Sequence, residues 1–174
     1  MFYEEILRVL QKHRVRYLIL GGAAVNLHGV PRMTGDLDLA VDMSEDNIDA
    51  LVGALEEAGL KPSLPIDPRG LTDDSLRQEW RDKKHLEALT FQSMDAGAPY
   101  REVDIILDCP LAFDVMFESR LELRADDLTI NVVSLPHLIE IKGKIGREQD
   151  LSDVEALEKI EKEVGGGNQG SGLE

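Results

Sequence analysis

Apolar and polar positions alternate in blocks that switch between helical and strand periods. Residues 2–13 place Phe2, Ile6, Val9 and Leu10 on one stripe, which predicts an amphipathic helix. Val15 to Leu20 (VRYLIL) is a near-continuous apolar run, as expected of a strand buried on both faces. Gly21-Gly22 ends that run, AAVNLHG reads as a short helix, and Pro31 to Gly35 as a loop. Asp36 to Asp42 (DLDLAVD) alternates strictly and predicts a half-buried strand. Ser44 is placed to N-cap a helix reaching Ala58, with the stripe Ile48, Leu51, Val52, Leu55 and a stop at Gly59.

Beyond that helix the pattern is less regular. Pro62, Pro65, Pro68 and Gly70 make residues 60–71 a turn-rich loop. Residues 73–84 are expected to be helical with Leu76 and Trp80 inward. Leu86–Gln92 and Arg101–Leu107 read as strands, hairpin partners around Gly97-Ala98-Pro99. A short helix over Pro110–Arg120, strands at Leu121–Leu123 and Leu128–Val133, and a helix over 136–146 follow. Ser152 and Glu155 match a capping box opening a last helix to about Val164. The expectation is an α+β fold, a mixed sheet flanked by helices. Residues 1–164 would form one domain, with the helices of 135–164 packing near any site. Residues 165–174 read as a flexible tail, in part an expression remnant.

Composition narrows the function classes. The chain has 19 basic and 34 acidic residues among 174, a formal charge of −15. That sign argues against a broad nucleic-acid-binding surface. Residues 36–60 hold eight acids and no Lys or Arg, and residues 148–174 hold eight acids and two lysines, so these segments carry nearly all the excess. Lys142, Lys144 and Arg147 form a short basic run against Glu140. One cysteine, Cys109, rules out a disulfide framework and a cysteine-based zinc site. No apolar run approaches the ~20 residues of a membrane span and no signal peptide is evident, so a cytoplasmic protein without a membrane partner is expected.

Solvated helix faces explain most of the acids but not Asp36 and Asp38. With a strand period of two, Asp36, Asp38 and Ala40 share one face while Leu37, Leu39 and Val41 share the apolar one. Two adjacent carboxylates raise each other's pKa unless a cation neutralises them, and hard divalent ions prefer oxygen ligands. In VDIIL, Asp104 lies on the face opposite Val103, Ile105 and Leu107, and joins Asp36 and Asp38 if the two strands are neighbours. Three convergent carboxylates can hold a two-metal centre for in-line phosphoryl displacement. Gly21-Gly22, between a buried strand and a helix, would let a phosphate approach the backbone. Plainer readings stand beside these. Arg32 would anchor a loop by pairing with Asp36 or Asp42, Lys142 would lie along Leu138, and Asp150 would cap or pair. His28, His85 and His137 would be structural or surface residues, Cys109 a buried or incidental thiol and Trp80 a core anchor.

The run LILGGAAVNLHGVPRMTGDLDLAVD, together with VDIIL and SLPHLIEIKGKIGREQDLSDVEAL, resembles the signature of the nucleotidyltransferase superfamily, with its DNA-polymerase-β-like fold. It looks closest to small prokaryotic abortive-infection, type IV toxin–antitoxin members. The resemblance implies that Asp36, Asp38 and Asp104 are catalytic and bind Mg²⁺, with Mn²⁺ as a substitute. It implies that Gly21, Gly22, Arg32, Thr34, Lys142 and Arg147 line the nucleotide site. The reaction would move a nucleoside monophosphate from an NTP to an acceptor hydroxyl on tRNA, a protein or a small molecule. In a two-gene system a cognate antitoxin would be a partner; the alternative is a non-catalytic nucleotide-binding or regulatory module. Asp150 and Asp153 match acids of the family's closing stretch, whereas Gly22 and Gln149 stand where many members have serine and lysine.

Overall fold

The computed structural model describes residues 2–93 and 102–166. Seven α-helices and seven strands follow one another along them: α1 (Phe2–Lys12), β1 (Tyr17–Ile19), α2 (Gly21–Leu27), β2 (Asp36–Val41), α3 (Glu45–Glu57), β3 (Leu60–Pro62), α4 (Asp74–Lys84), β4 (Ala88–Ser93), β5 (Glu102–Ile106), α5 (Phe113–Glu118), β6 (Leu121–Ala125), β7 (Leu128–Val132), α6 (Leu135–Ile145) and α7 (Glu148–Gly166). The strands form one mixed sheet in the order β3-β4-β5-β2-β1-β7-β6. Strand β2 runs parallel to β5 and antiparallel to β1, while β1 runs parallel to β7.

The apolar face of the sheet is made as the alternation requires. Leu37, Leu39, Val103, Ile105, Leu89 and Phe91 are fully buried, from three adjacent strands. Helices α1 and α3 pack on each other, α1 also on β7 and α3 on β3. The α3 stripe Ile48, Leu51, Val52 and Leu55 is buried, as are Ile6 and Leu10 of α1. Each such side chain contributes about 1.5–3 kcal/mol relative to exposure. The opposite face of β2, β5 and β4 stays free for polar groups.

Several expectations need correction. The proline-rich 60–71 stretch contains β3, which pairs antiparallel with β4, and a 3₁₀ turn at Pro68–Thr72. Pro62 is tolerated because β3 is the edge strand, where a missing N–H costs no ladder bond. Leu76 is 38% exposed; only Trp80 of that pair is buried. Ser44 makes no side-chain cap bond to α3; its own N–H donates to Asp42 Oδ1 at 2.9 Å. Helix α7 begins at Glu148, so Ser152 lies inside it rather than at its cap. The turn expected at Gly97-Ala98-Pro99 and residues 167–174 of the expected tail lie outside the described residues.

Candidate active site

The register brings the three predicted acids together. Asp38 pairs with Asp104 across β2 and β5, and Asp104 pairs with Thr90 across β5 and β4. One carboxylate oxygen from each of Asp36, Asp38 and Asp104 lies within 4.8 Å of the other two, and all three residues are half-buried. Thr90 donates to Asp104 Oδ1 at 2.6 Å, and Thr34 donates to Asp36 Oδ1 at 3.1 Å. Both hydroxyls fix carboxylate rotation. Thr90 was not among the sequence candidates; its signal is a polar residue on the face of β4 that would register with Asp104, visible only once the pairing is known.

Burial pushes the Asp38 carboxyl up to about 6, and the neighbouring Asp36 and Asp104 charges push the same way against Lys142 and Arg32. A cluster of carboxylates in a cleft, offset only in part by nearby cations, is a site of negative potential. Its all-oxygen donor set fits a hard divalent cation.

The glycines explain how the cluster is approached. Gly21 has φ +59° and begins α2 directly after β1. A Cβ there would overlap the Asp38 carboxylate, so only glycine allows the turn to sit against it. A Cβ on Gly22 would lie 2.7 Å from Thr34 Oγ1 and 3.3 Å from the Arg32 guanidinium carbon. The backbone of the turn, Arg32, Thr34 and the acids therefore share one small volume.

Arg32 pairs with neither Asp36 nor Asp42. Its guanidinium donates to Asp153 Oδ2 at 2.6 Å, on α7. Asp42 pairs with Arg16. Lys142 does not extend along Leu138 towards water: it is buried, 3.0 Å from Asp150 and 2.8 Å from Asp153. Gln149 donates to Asp153 Oδ1 at 3.1 Å. Asp153, 3% exposed, thus accepts two hydrogen bonds, forms an ion pair with Lys142, and fastens α6, α7 and the loop before β2 to one another. Arg147 pairs with Glu87, which precedes β4. His28 Nε2 lies 2.8 Å from the Val133 carbonyl oxygen and tethers the end of α2 to the sheet.

A cavity of about 840 Å³ joins these groups. It runs from Gly21, Gly22 and Arg32 past Asp36, Asp38 and Asp104 to Ala88 and Thr90, under the Leu138, Ile141, Lys142 and Ile145 face of α6. No described helix is long and apolar enough to cross a membrane.

No protein-family model and no curated protein matches the sequence. Solved structures do. A lincosamide antibiotic adenylyltransferase, LnuA, with lincomycin bound, is 17% identical at a TM-score of 0.58, covering 91% of this chain and 96% of that one. A Thermotoga maritima protein described as a candidate nucleotidyltransferase is 16% identical at a TM-score of 0.54, covering 92% of this chain and 91% of that one. At such identities the likeness is one of fold, and the chain has the nucleotidyltransferase fold.

Proposed function

We propose that the chain is a metal-dependent nucleotidyltransferase that moves a nucleoside monophosphate from an NTP to an acceptor hydroxyl. The observation that carries this reading is the meeting of Asp36, Asp38 and Asp104 beside a glycine turn whose Gly21 leaves no room for a Cβ against Asp38. Mg²⁺ is the ion assigned, with Mn²⁺ as a substitute, held by the three carboxylates. When bound, such ions neutralise the acids and the donor phosphates and draw charge from the α-phosphorus.

The chain's own residues do the rest. The Gly21-Gly22 backbone receives the triphosphate, with Arg32 and Lys142, held by Asp153 and Asp150, lining that end. Asp104, held through Oδ1 by Thr90, accepts the proton of the acceptor hydroxyl. The acceptor oxygen bonds to the α-phosphorus as the bond to the bridging oxygen breaks, and pyrophosphate leaves opposite the attack. Positioning and charge neutralisation supply the rate. The acceptor classes are tRNA, a protein or a small molecule. The structural neighbour with lincomycin bound supports a small molecule on this fold. The resemblance to toxin–antitoxin members supports a toxin role with a cognate antitoxin.

The test mixes protein, labelled NTP, Mg²⁺ and acceptors of each class. Asp36→Ala and Asp38→Ala should each cut transfer by about a hundredfold or more. Undiminished transfer in either variant removes the site assignment. NTP binding with no pyrophosphate release across the panel replaces it with a nucleotide-binding module.

A further inference from the structure

The cavity is longer than the groups just assigned to the donor. The glycine turn and Arg32 occupy its β1 end, whereas Ala88 and Thr90 line the β4 end, with the three acids between. An in-line displacement brings its nucleophile from the side opposite the leaving pyrophosphate. With the triphosphate at the β1 end, the nucleophile comes from the β4 end. At about 840 Å³ the cavity is near the top of the ~300–1,000 Å³ range of small-molecule sites, large enough for two reactants side by side.

The chemistry of the β4 end is distinctive. Leu86, Ala88, Ile106 and Ile145 give it aliphatic patches between His85, Glu87 and Asp108, and Ile145 is 45% exposed at its lip. Its two arginines are each paired with a carboxylate, Arg81 with Asp108 and Arg147 with Glu87. A polynucleotide held here would need cations facing its phosphates and aromatic rings beneath its bases. Each arginine has a carboxylate beside it that would repel a phosphate, and the one aromatic ring among the described lining residues is the imidazole of His85. Nothing at this end disfavours an uncharged or cationic aliphatic molecule.

We infer that the β4 end of the cavity is the acceptor subsite, and that it takes a compact, aliphatic, hydroxyl-bearing small molecule rather than an RNA end. The inference rests on the nucleotidyl-transfer reading and narrows its acceptor. Ala88 sets the depth of the subsite and Ile145 forms its lip.

The experiment uses the full chain with Mg²⁺ and an NTP analogue whose α,β-bridging oxygen is a methylene, so that no transfer occurs. Calorimetry first measures binding of the analogue. Cyclohexanol, trans-4-aminocyclohexanol and the trinucleotide CCA are then titrated while the methyl resonances of Ile106 and Ile145 are followed. The two alcohols should shift both methyls saturably and the trinucleotide should not. Ala88→Trp should weaken alcohol binding at least about tenfold while analogue affinity stays within about twofold. Should that variant not fold, Ile145→Glu, at an exposed position, should give the same loss at Ile106. Shifts produced by CCA alone, alcohols that leave both methyls unmoved, or alcohol shifts unaltered by both substitutions each overturn the subsite with donor binding intact. Absence of analogue binding instead removes the donor reading, and the subsite with it.

Discussion

Asp38 sits where burial and two like charges act together, and the consequence is a measurable pH dependence. In the metal-free folded chain its carboxyl holds a proton up to about 6, against 3.8 for the free group. Between those values the folded state binds more protons than the unfolded one, so stability falls as pH rises. The contribution is fully present below the unfolded value and is lost as pH passes through about 6. The difference corresponds to on the order of 3 kcal/mol. Asp38→Asn keeps the shape and removes the charge. In urea melts with a chelator, the variant should therefore gain stability over the wild type as pH rises from ~4.5 to ~7. Added Mg²⁺ should cancel most of that gain, because a dication offsets the same repulsion. A difference that stays flat with pH would mean that the three carboxylates do not interact as their spacing requires.

At the scale of elements, α6, α7 and the loop before β2 are joined by a buried ionic cluster rather than by apolar packing alone. Lys142 and Asp153 have side chains 4% exposed, and Arg32 and Asp150 complete the charges. Removing one member leaves another charge buried and unpaired, so Asp153→Ala should lose about 3 kcal/mol in chemical denaturation. Lys142→Met with Asp153→Ala should lose clearly less than the sum of the single variants, since the second change removes the charge that the first exposed. Additive losses would show that the two residues do not share an interaction. Of this cluster only the pairing of Asp150 was legible in the sequence; Arg32 and Asp153 are 121 positions apart, and Asp36 and Asp42 offered Arg32 nearer partners. The acidic face was legible, because strand period fixes which of Asp36, Leu37 and Asp38 point together without knowledge of any partner strand. Strand β3 was hidden by Pro62, whose turn propensity outweighs an edge position that only the assembled sheet defines. The start of α7 was misplaced for a related reason: Asp150 and Asp153 are consumed by tertiary ion pairs, which makes the Ser152–Glu155 pattern a coincidence of spacing.

The whole molecule carries −15 charges, and its proposed donor is also an anion. At long range the two repel, and the cations of the cavity cannot reverse this, because Arg32, Lys142 and Arg147 are each matched by a carboxylate. Steering by a basic surface would make association fall steeply with added salt. Here the opposite sign follows. The screening length shrinks from about 30 Å at 0.01 M to about 8 Å at 0.15 M, which removes the repulsion between protein and nucleotide before they touch. The short contacts inside the cavity, formed after entry, are screened much less. At fixed free Mg²⁺, kcat/KM for the NTP should therefore rise as ionic strength increases over this range, and stopped-flow association of a fluorescent NTP should rise with it. An uncharged acceptor feels neither field, so its KM should hardly change across the same range. A fall in the nucleotide rate would show instead that the basic groups at the cavity govern approach, and that the acid excess outside the cavity lies too far from its entrance to be felt.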